Sequence, residues 1–301
     1  MDFIGKRKIY FVISMVLIIA GLVAMPYNAS QIGDILNFDI EFKGGTVFHL
    51  DIGQAYSIDD ELRPLAEQYL GDGSAVIQNV PNTFEVIITT QVTDQAPRVA
   101  FVDGIKEFYG LEDNIILGED SVSATISPEI QSNAIQAIVL GSILMLIYIW
   151  IRFQDIKFGA SAVVALIHDV LIMVGVYAIF RIPVNNSFIA AILTIIGYSI
   201  NDTIIVFDRI RENRQKIKGL DEEIINTSIS QTITRSINTS ITTLIMVSLL
   251  YFFGTDSVRE FAFPLVVGVL SGTYSSIFVA SPVWFEMRKF ARNKNKSAVK
   301  A

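Results

Sequence analysis

The sequence predicts a polytopic α-helical membrane protein: six transmembrane helices, with one α+β domain outside the membrane between helices 1 and 2. Three observations lead there. The 301-residue chain is 51% hydrophobic and only 18% charged, more apolar and less charged than a water-soluble chain of this length. Five or six of its runs approach the roughly 20 apolar residues needed to cross a bilayer as a helix. The net charge of -7 is also segregated: residues 28–128 carry 17 acidic and 4 basic side chains, the remainder 13 acidic and 19 basic. An acidic, water-facing domain is thus embedded in a basic, apolar chain. The absence of cysteine excludes disulfides, thiolate metal sites and cysteine nucleophiles, and two histidines, His49 and His168, leave little for a zinc site.

In chain order, the first span is Ile9–Met25, after Lys6-Arg7-Lys8. A basic start and an apolar core also suit a cleaved signal peptide, but bulky Met25-Pro26-Tyr27 stands where small residues would be needed, which favours an uncleaved anchor. Residues 28–128 alternate in type. Phe38–Leu50 reads as a strand broken or bounded by Lys43-Gly44-Gly45. Ser57, with an acid three residues on, opens a helix running to Tyr69. Ala75–Val80 and Thr83–Thr90 alternate around Pro81-Asn82 as a hairpin does. Ala96–Tyr109 is a second helix, with Pro97 in its first turn, and Asn114–Ile126 a last strand. The order β-α-β-β-α-β is that of a ferredoxin-like sandwich. Its acids are scattered, as on a solvated surface, and form no catalytic or metal-binding constellation.

The remaining spans follow at about Ile130–Ile151, Phe158–Phe180, Phe188–Phe207, Ile233–Phe253 and Phe261–Phe285, the fifth diluted by Ser, Thr and Asn. The expected division is 1–27 for the N-terminus and first helix, 28–128 for the domain, 129–287 for helices 2 to 6 with a basic cytoplasmic loop at 208–230, and 288–301 for a basic tail. Lysine and arginine concentrate on the cytoplasmic side of a membrane. With both termini there, that side holds 17 of the 23 basic residues; the other side holds six. The basic amphipathic stretch from Asp208 to Lys218 reads as a helix lying on anionic lipid headgroups.

Three ionisable positions fall inside spans: Asp169 beside His168 in the third, Asp202 in the fourth, and Arg235 at the start of the fifth. Charges at depth cost several kcal/mol and normally face protein or water. Thr194, Gly197, Tyr198, Asn201 and Asp202 recur at helical spacing as one small-and-polar stripe, and Gln231, Arg235, Asn238, Thr239 and Thr242 make another. Ala162, Ala165 and Asp169 share a side of the third helix. Three converging faces would enclose a hydrated interior in which Asp202 and Arg235 could pair. Two readings of that pair stand: a static ion pair fixing helix register, or a proton or ion relay. His168 is a hydrogen-bonded packing residue or a relay member; His49 receives no role. The chain has no phosphate-binding loop, so energy must come from an ion gradient or a partner.

At these residues the chain resembles the SecF family of bacterial protein-export membrane subunits, within the resistance–nodulation–division superfamily. The likeness runs through FDIEFKGGT (38–46), ALIHDVLIMVGVYAIF (165–180), ILTIIGYSINDTIIVFDRIREN (192–213) and QTITRSINTSITTL (231–244). One departure stands in the first motif, where Asp39 and Glu41 replace the usual Gly-x-Asp-Phe pattern before Gly44 and Gly45. The resemblance implies a non-enzymatic subunit of the bacterial inner membrane that pairs with SecD. It further implies work beside the SecYEG channel, SecA and YajC on an emerging preprotein, driven by the proton-motive force, with no cofactor and no nucleic acid. It assigns the proton relay to Asp202, Arg235 and Asp169; by helical spacing Asn201, Tyr198, Thr194, Asn238 and Thr239 form a supporting polar face, and Gly44-Gly45 is a turn motif. Sodium in place of the proton stays open, because an Asp among polar side chains suits either ion. Two other functions remain in view: half of a small-molecule or lipid exporter, and a passive translocon scaffold.

Overall fold

Long apolar runs leave the backbone no way to satisfy its polar groups in lipid except as helices. The computed structural model describes residues 2–73, 75–80, 83–111, 115–123, 127–153 and 155–300. Its helices are α1 (Arg7–Ile32), α2 (Ile40–Lys43), α3 (Arg63–Leu70), α4 (Gln95–Tyr109), α5 (Ser127–Phe153), α6 (Ile156–Phe180), α7 (Asn186–Lys216), α8 (Asp221–Phe253), α9 (Asp256–Ser275) and α10 (Ser281–Lys300). Among the described residues, six spans are long and apolar enough to cross a membrane, the last running from α9 through a π-helical turn, Ser276–Ala280, into α10. The chain divides into two compact units: Met1–Asn37 with Gln136–Ala301, and Phe38–Ile135.

In the helical unit, α7 packs on α8 and α9, while α6 packs on α1 and α9. The α1–α6 crossing is a backbone contact. A Cβ built on Gly21 would lie 2.5 Å from the Gly175 Cα, so only glycine lets the helices approach this closely. Beyond that crossing, Asn28 Nδ2 donates to the Ala178 carbonyl at 2.7 Å. At the opposite end, the Phe3 and Ile4 amides donate to Asn226 Oδ1 at 2.9 and 3.0 Å, and Arg7 pairs with Glu286 at 2.6 Å. Along α5, in contrast, Ile135, Leu140, Leu144 and Ile151 are exposed.

One sequence expectation changes here. The segment 208–216 is not a separate helix on a headgroup layer but the continuous end of α7, and only 217–220 join it to α8. Neither glycine nor proline occurs between Gly197 and Gly219, and the inner face of this stretch stays buried. Asn213 Nδ2 donates to Ser228 Oγ and Gln231 Oε1, both at 2.9 Å.

The smaller unit contains strands β1 (Gly45–Asp51), β2 (Val76–Asn79), β3 (Glu85–Thr90) and β4 (Ile116–Val122) in one antiparallel sheet of order β2-β3-β1-β4. Phe48, Leu50 and Ile88 from one face of the sheet join Leu62, Leu65, Phe101 and Ile105 in the core. Asp39–Lys43 is not strand: Asp39 Oδ1 accepts from the Ile40 amide at 2.7 Å, capping one helical turn that ends at Gly44 with φ 78°. Gly45 then opens β1 at φ 143°, where a Cβ would strike the Thr90 carbonyl oxygen. Ser57 caps the next helix as expected, accepting from the Asp60 amide at 3.3 Å. The reciprocal bond comes from Glu61 rather than Asp60, because the first turn is π-wide and Leu62 N reaches the Ser57 carbonyl. The Ser57 amide and the Tyr109 hydroxyl hold Glu61 below the usual carboxylate range, while burial pushes Tyr109 up. Burial raises Asp39, against the lowering by its Ile40 bond. The expected hairpin turn Pro81-Asn82, and Asn114 and residues 124–126 of the expected last strand, lie outside the described residues.

Candidate functional site: two serine-held carboxylates

The side of α6 carrying Ala162 and Ala165 is buried, and it turns Asp169 into the helical unit at 1% exposure. There the carboxylate receives four contacts. Oδ1 lies 3.0 Å from His168 Nδ1 and accepts from Ser271 Oγ at 2.7 Å; Oδ2 accepts from Ser199 Oγ at 2.6 Å and Ser275 Oγ at 2.7 Å. Four partners fill the acceptor positions of a carboxylate. His168 is equally committed, its Nε2 lying 3.0 Å from Ser14 Oγ of α1 and its ring stacked on Tyr274.

Asp202, on α7, is 6% exposed and sits in a sparser cage. Oδ1 accepts from Ser236 Oγ at 2.6 Å and Oδ2 from Ser276 Oγ at 2.8 Å. Beside this cage, Tyr198 donates to Ser240 at 3.3 Å, and Ser240 and Thr273 share a hydroxyl bond of 2.5 Å. Two hydroxyl partners leave acceptor capacity unused, which gives room for a proton on the carboxylate.

The expected Asp202–Arg235 pair does not form. Arg235 is exposed on α8, and among the described residues Asp202 has no basic partner. Neighbouring positions of a helix point roughly 100° apart, so when Ser236 faces Asp202, Arg235 must face elsewhere. Gln231, Asn238, Thr239 and Thr242 are exposed with it. The α7 stripe divides as well: Asp202 is buried and Tyr198 half-buried, but Thr194 and Asn201 are exposed. The three polar faces therefore do not enclose a common interior within this chain. Gly44 and Gly45 belong to the smaller unit.

The serines that hold the carboxylates were not singled out in the sequence. A signal for them exists in the spacing: Ser271 and Ser275 are four apart, as are Ser236 and Ser240, which places each pair on one helix face. Hydroxyls in an apolar run lower its hydropathy, and in that average they register as dilution of a span.

Comparison with known proteins agrees with this architecture. The family model described as "Protein export membrane protein SecD/SecF, C-terminal" matches residues 106–290. The protein translocase subunit SecF of Petrotoga mobilis is 37% identical, over 98% of this chain and 99% of its own. The protein translocase subunit SecDF of Bacillus subtilis is 34% identical over 94% of this chain and 37% of its own. Among solved structures, SecDF of Thermus thermophilus, described as a translocon-associated membrane protein, superposes with a TM-score of 0.83 at 32% identity, covering 96% of this chain and 39% of that one. The buried-carboxylate bundle and its small α+β unit therefore belong to a member of the SecD/SecF family of protein-export membrane proteins.

Proposed function

We propose that this chain is the SecF-type subunit of a bacterial Sec protein translocase and that it couples a proton gradient to preprotein movement. Its carrying observation is Asp202, a carboxylate buried in a membrane-spanning helix, held by two serine hydroxyls and lacking a basic partner among the described residues. An ionisable group at that depth is costly to keep unless it works. Asp202 takes up and releases the proton, and Asp169 and Arg235 complete the relay.

The partner is SecD. A single Bacillus subtilis chain named SecDF contains a region matching nearly all of this one, which supports a complex in which the other half lies on a second chain. The outward polar face of α8 supports the same reading. Gln231, Arg235, Asn238 and Thr242 would be expensive against lipid tails and suit a helix–helix contact instead. Supported by the strand order β2-β3-β1-β4 and by α3 and α4 within its core, the small unit is a ferredoxin-like domain on the outer side. The termini lie in the cytoplasm, as the basic residues favour. SecYEG, SecA and YajC are the wider assembly in which the complex acts on the emerging preprotein.

Vesicles containing the assembled complex test the reading. Asp202→Asn and Arg235→Met should each abolish the gradient-dependent part of preprotein export and the accompanying proton flux. Normal export by both variants under an imposed proton-motive force would refute it.

A further inference from the structure

Ser275 and Ser276 are consecutive, yet they serve different carboxylates: Ser275 donates to Asp169 and Ser276 to Asp202. Each also has a second acceptor within reach. Ser275 Oγ lies 3.2 Å from the Gly272 carbonyl oxygen, and Ser276 Oγ 3.1 Å from that of Thr273. A hydroxyl has one proton to donate and rotates freely to place it. Each serine is therefore a rotor with two positions, carboxylate or backbone, and the rotors share a peptide bond.

The backbone at this point is not a regular helix. Ser275 ends α9 and Ser276 begins the π-helical turn Ser276–Ala280, while Ser281 Oγ reaches back to the Ser276 carbonyl at 3.4 Å. Single π turns inside α-helices recur at functional sites, and serine bonds to preceding carbonyls bend a helix locally. Adjacent helical positions point roughly 100° apart, and α9 and the π turn both pack on α6 and α7, so these neighbouring side chains reach acceptors on two helices.

We propose that Ser275 and Ser276 are positioning residues that couple Asp169 to Asp202, so that proton uptake at Asp202 alters the hydrogen bonding of Asp169 through the π turn. A protonated Asp202 is a poorer acceptor. Ser276 then turns to the Thr273 carbonyl, the turn adjusts, and Ser275 shifts towards Gly272 and away from Asp169. Other groups facing the pair are few. His168 lies on Asp169, with Tyr274 stacked against it and Ser14 beyond; Ser199 and Ser271 complete that cage, and Ser236 completes the cage of Asp202. Arg235 points outward.

The coupling rests on Asp202 being the proton-binding carboxylate, but its test does not depend on transport. Infrared spectra of the full chain in lipid nanodiscs, labelled with isotopic aspartate, identify the Asp169 carboxylate band by its loss in Asp169→Asn. Asp202→Asn, which mimics the protonated acid, should move that band in the native serine background. The response should vanish in S275A/S276A and in the milder S275A alone, and return in S275T/S276T, which restores both hydroxyls. A band that stays still on Asp202→Asn, or moves equally without the hydroxyls, overturns the proposal. If vesicles show no Asp202-dependent proton flux but the band still responds, the relay reading fails and the coupling stands.

Discussion

Ser236 Oγ donates to Asp202 Oδ1 at 2.6 Å, so α8 meets the buried carboxylate through a hydroxyl while the preceding residue, Arg235, faces outward. The carboxylate is thus stabilised by neutral donors within its own chain, and the cation of the same helix is left for another surface. This division separates what each residue contributes to stability from what it contributes to the working complex.

Ser236→Ala should destabilise the chain by about 1–3 kcal/mol, because a buried carboxylate oxygen loses its partner. Thermal unfolding in detergent, compared with Ser236→Thr, checks this. Alanine and threonine variants that melt with the native chain would show that the hydroxyl contributes nothing.

Arg235→Met should change the stability of the isolated chain by no more than about 0.5 kcal/mol, as expected for a surface substitution away from such features. Its effect should appear only with a SecD-type partner present, as weaker co-purification or lost export. A large drop in the melting temperature of the chain alone would place Arg235 in an internal contact.

Gly21→Leu should separate α1 from α6, since even its Cβ would fall 2.5 Å from the Gly175 Cα. Overpacking of this kind costs about 1–3 kcal/mol. The Ser14–His168 contact lies along the same pair of helices, so the histidine ring resonances should move too. An unshifted His168 spectrum in a folded variant would argue against the close crossing.

The small unit should respond to pH through two carboxylates of opposite sign. Glu61 is held low by the Ser57 amide and the Tyr109 hydroxyl, so its contribution exists above the ordinary carboxylate value and is lost as pH falls through the lowered one. Glu61→Gln should flatten the acid loss of hydrogen-exchange protection in α3. Asp39 is raised by burial, so its ionisation opposes folding as pH rises through the raised value. Asp39→Asn keeps a good cap and should increase protection at neutral pH but not in acid. The reverse ordering for either variant would contradict these environments.

Six spans, an acidic unit between the first two, and Asp169 and Asp202 in membrane-spanning helices are legible along the chain alone. Those features follow from apolar run length, charge segregation and turn residues, all local or additive along the chain. Helical periodicity also grouped Ala162, Ala165 and Asp169 correctly, because one buried face of one helix is a property of its own spacing. The partners of these carboxylates come from packing between helices. Whether α8 offers Asp202 its Arg235 or its Ser236 depends on the rotation of that helix against α7 and α9, and a rotation of roughly 100° exchanges them. The reach of Ser275 and Ser276 to two helices depends likewise on how α9 and the π turn pack on α6 and α7. Contacts between distant segments are set by how whole helices pack, so the choice of hydroxyl over guanidinium at Asp202 was settled by packing.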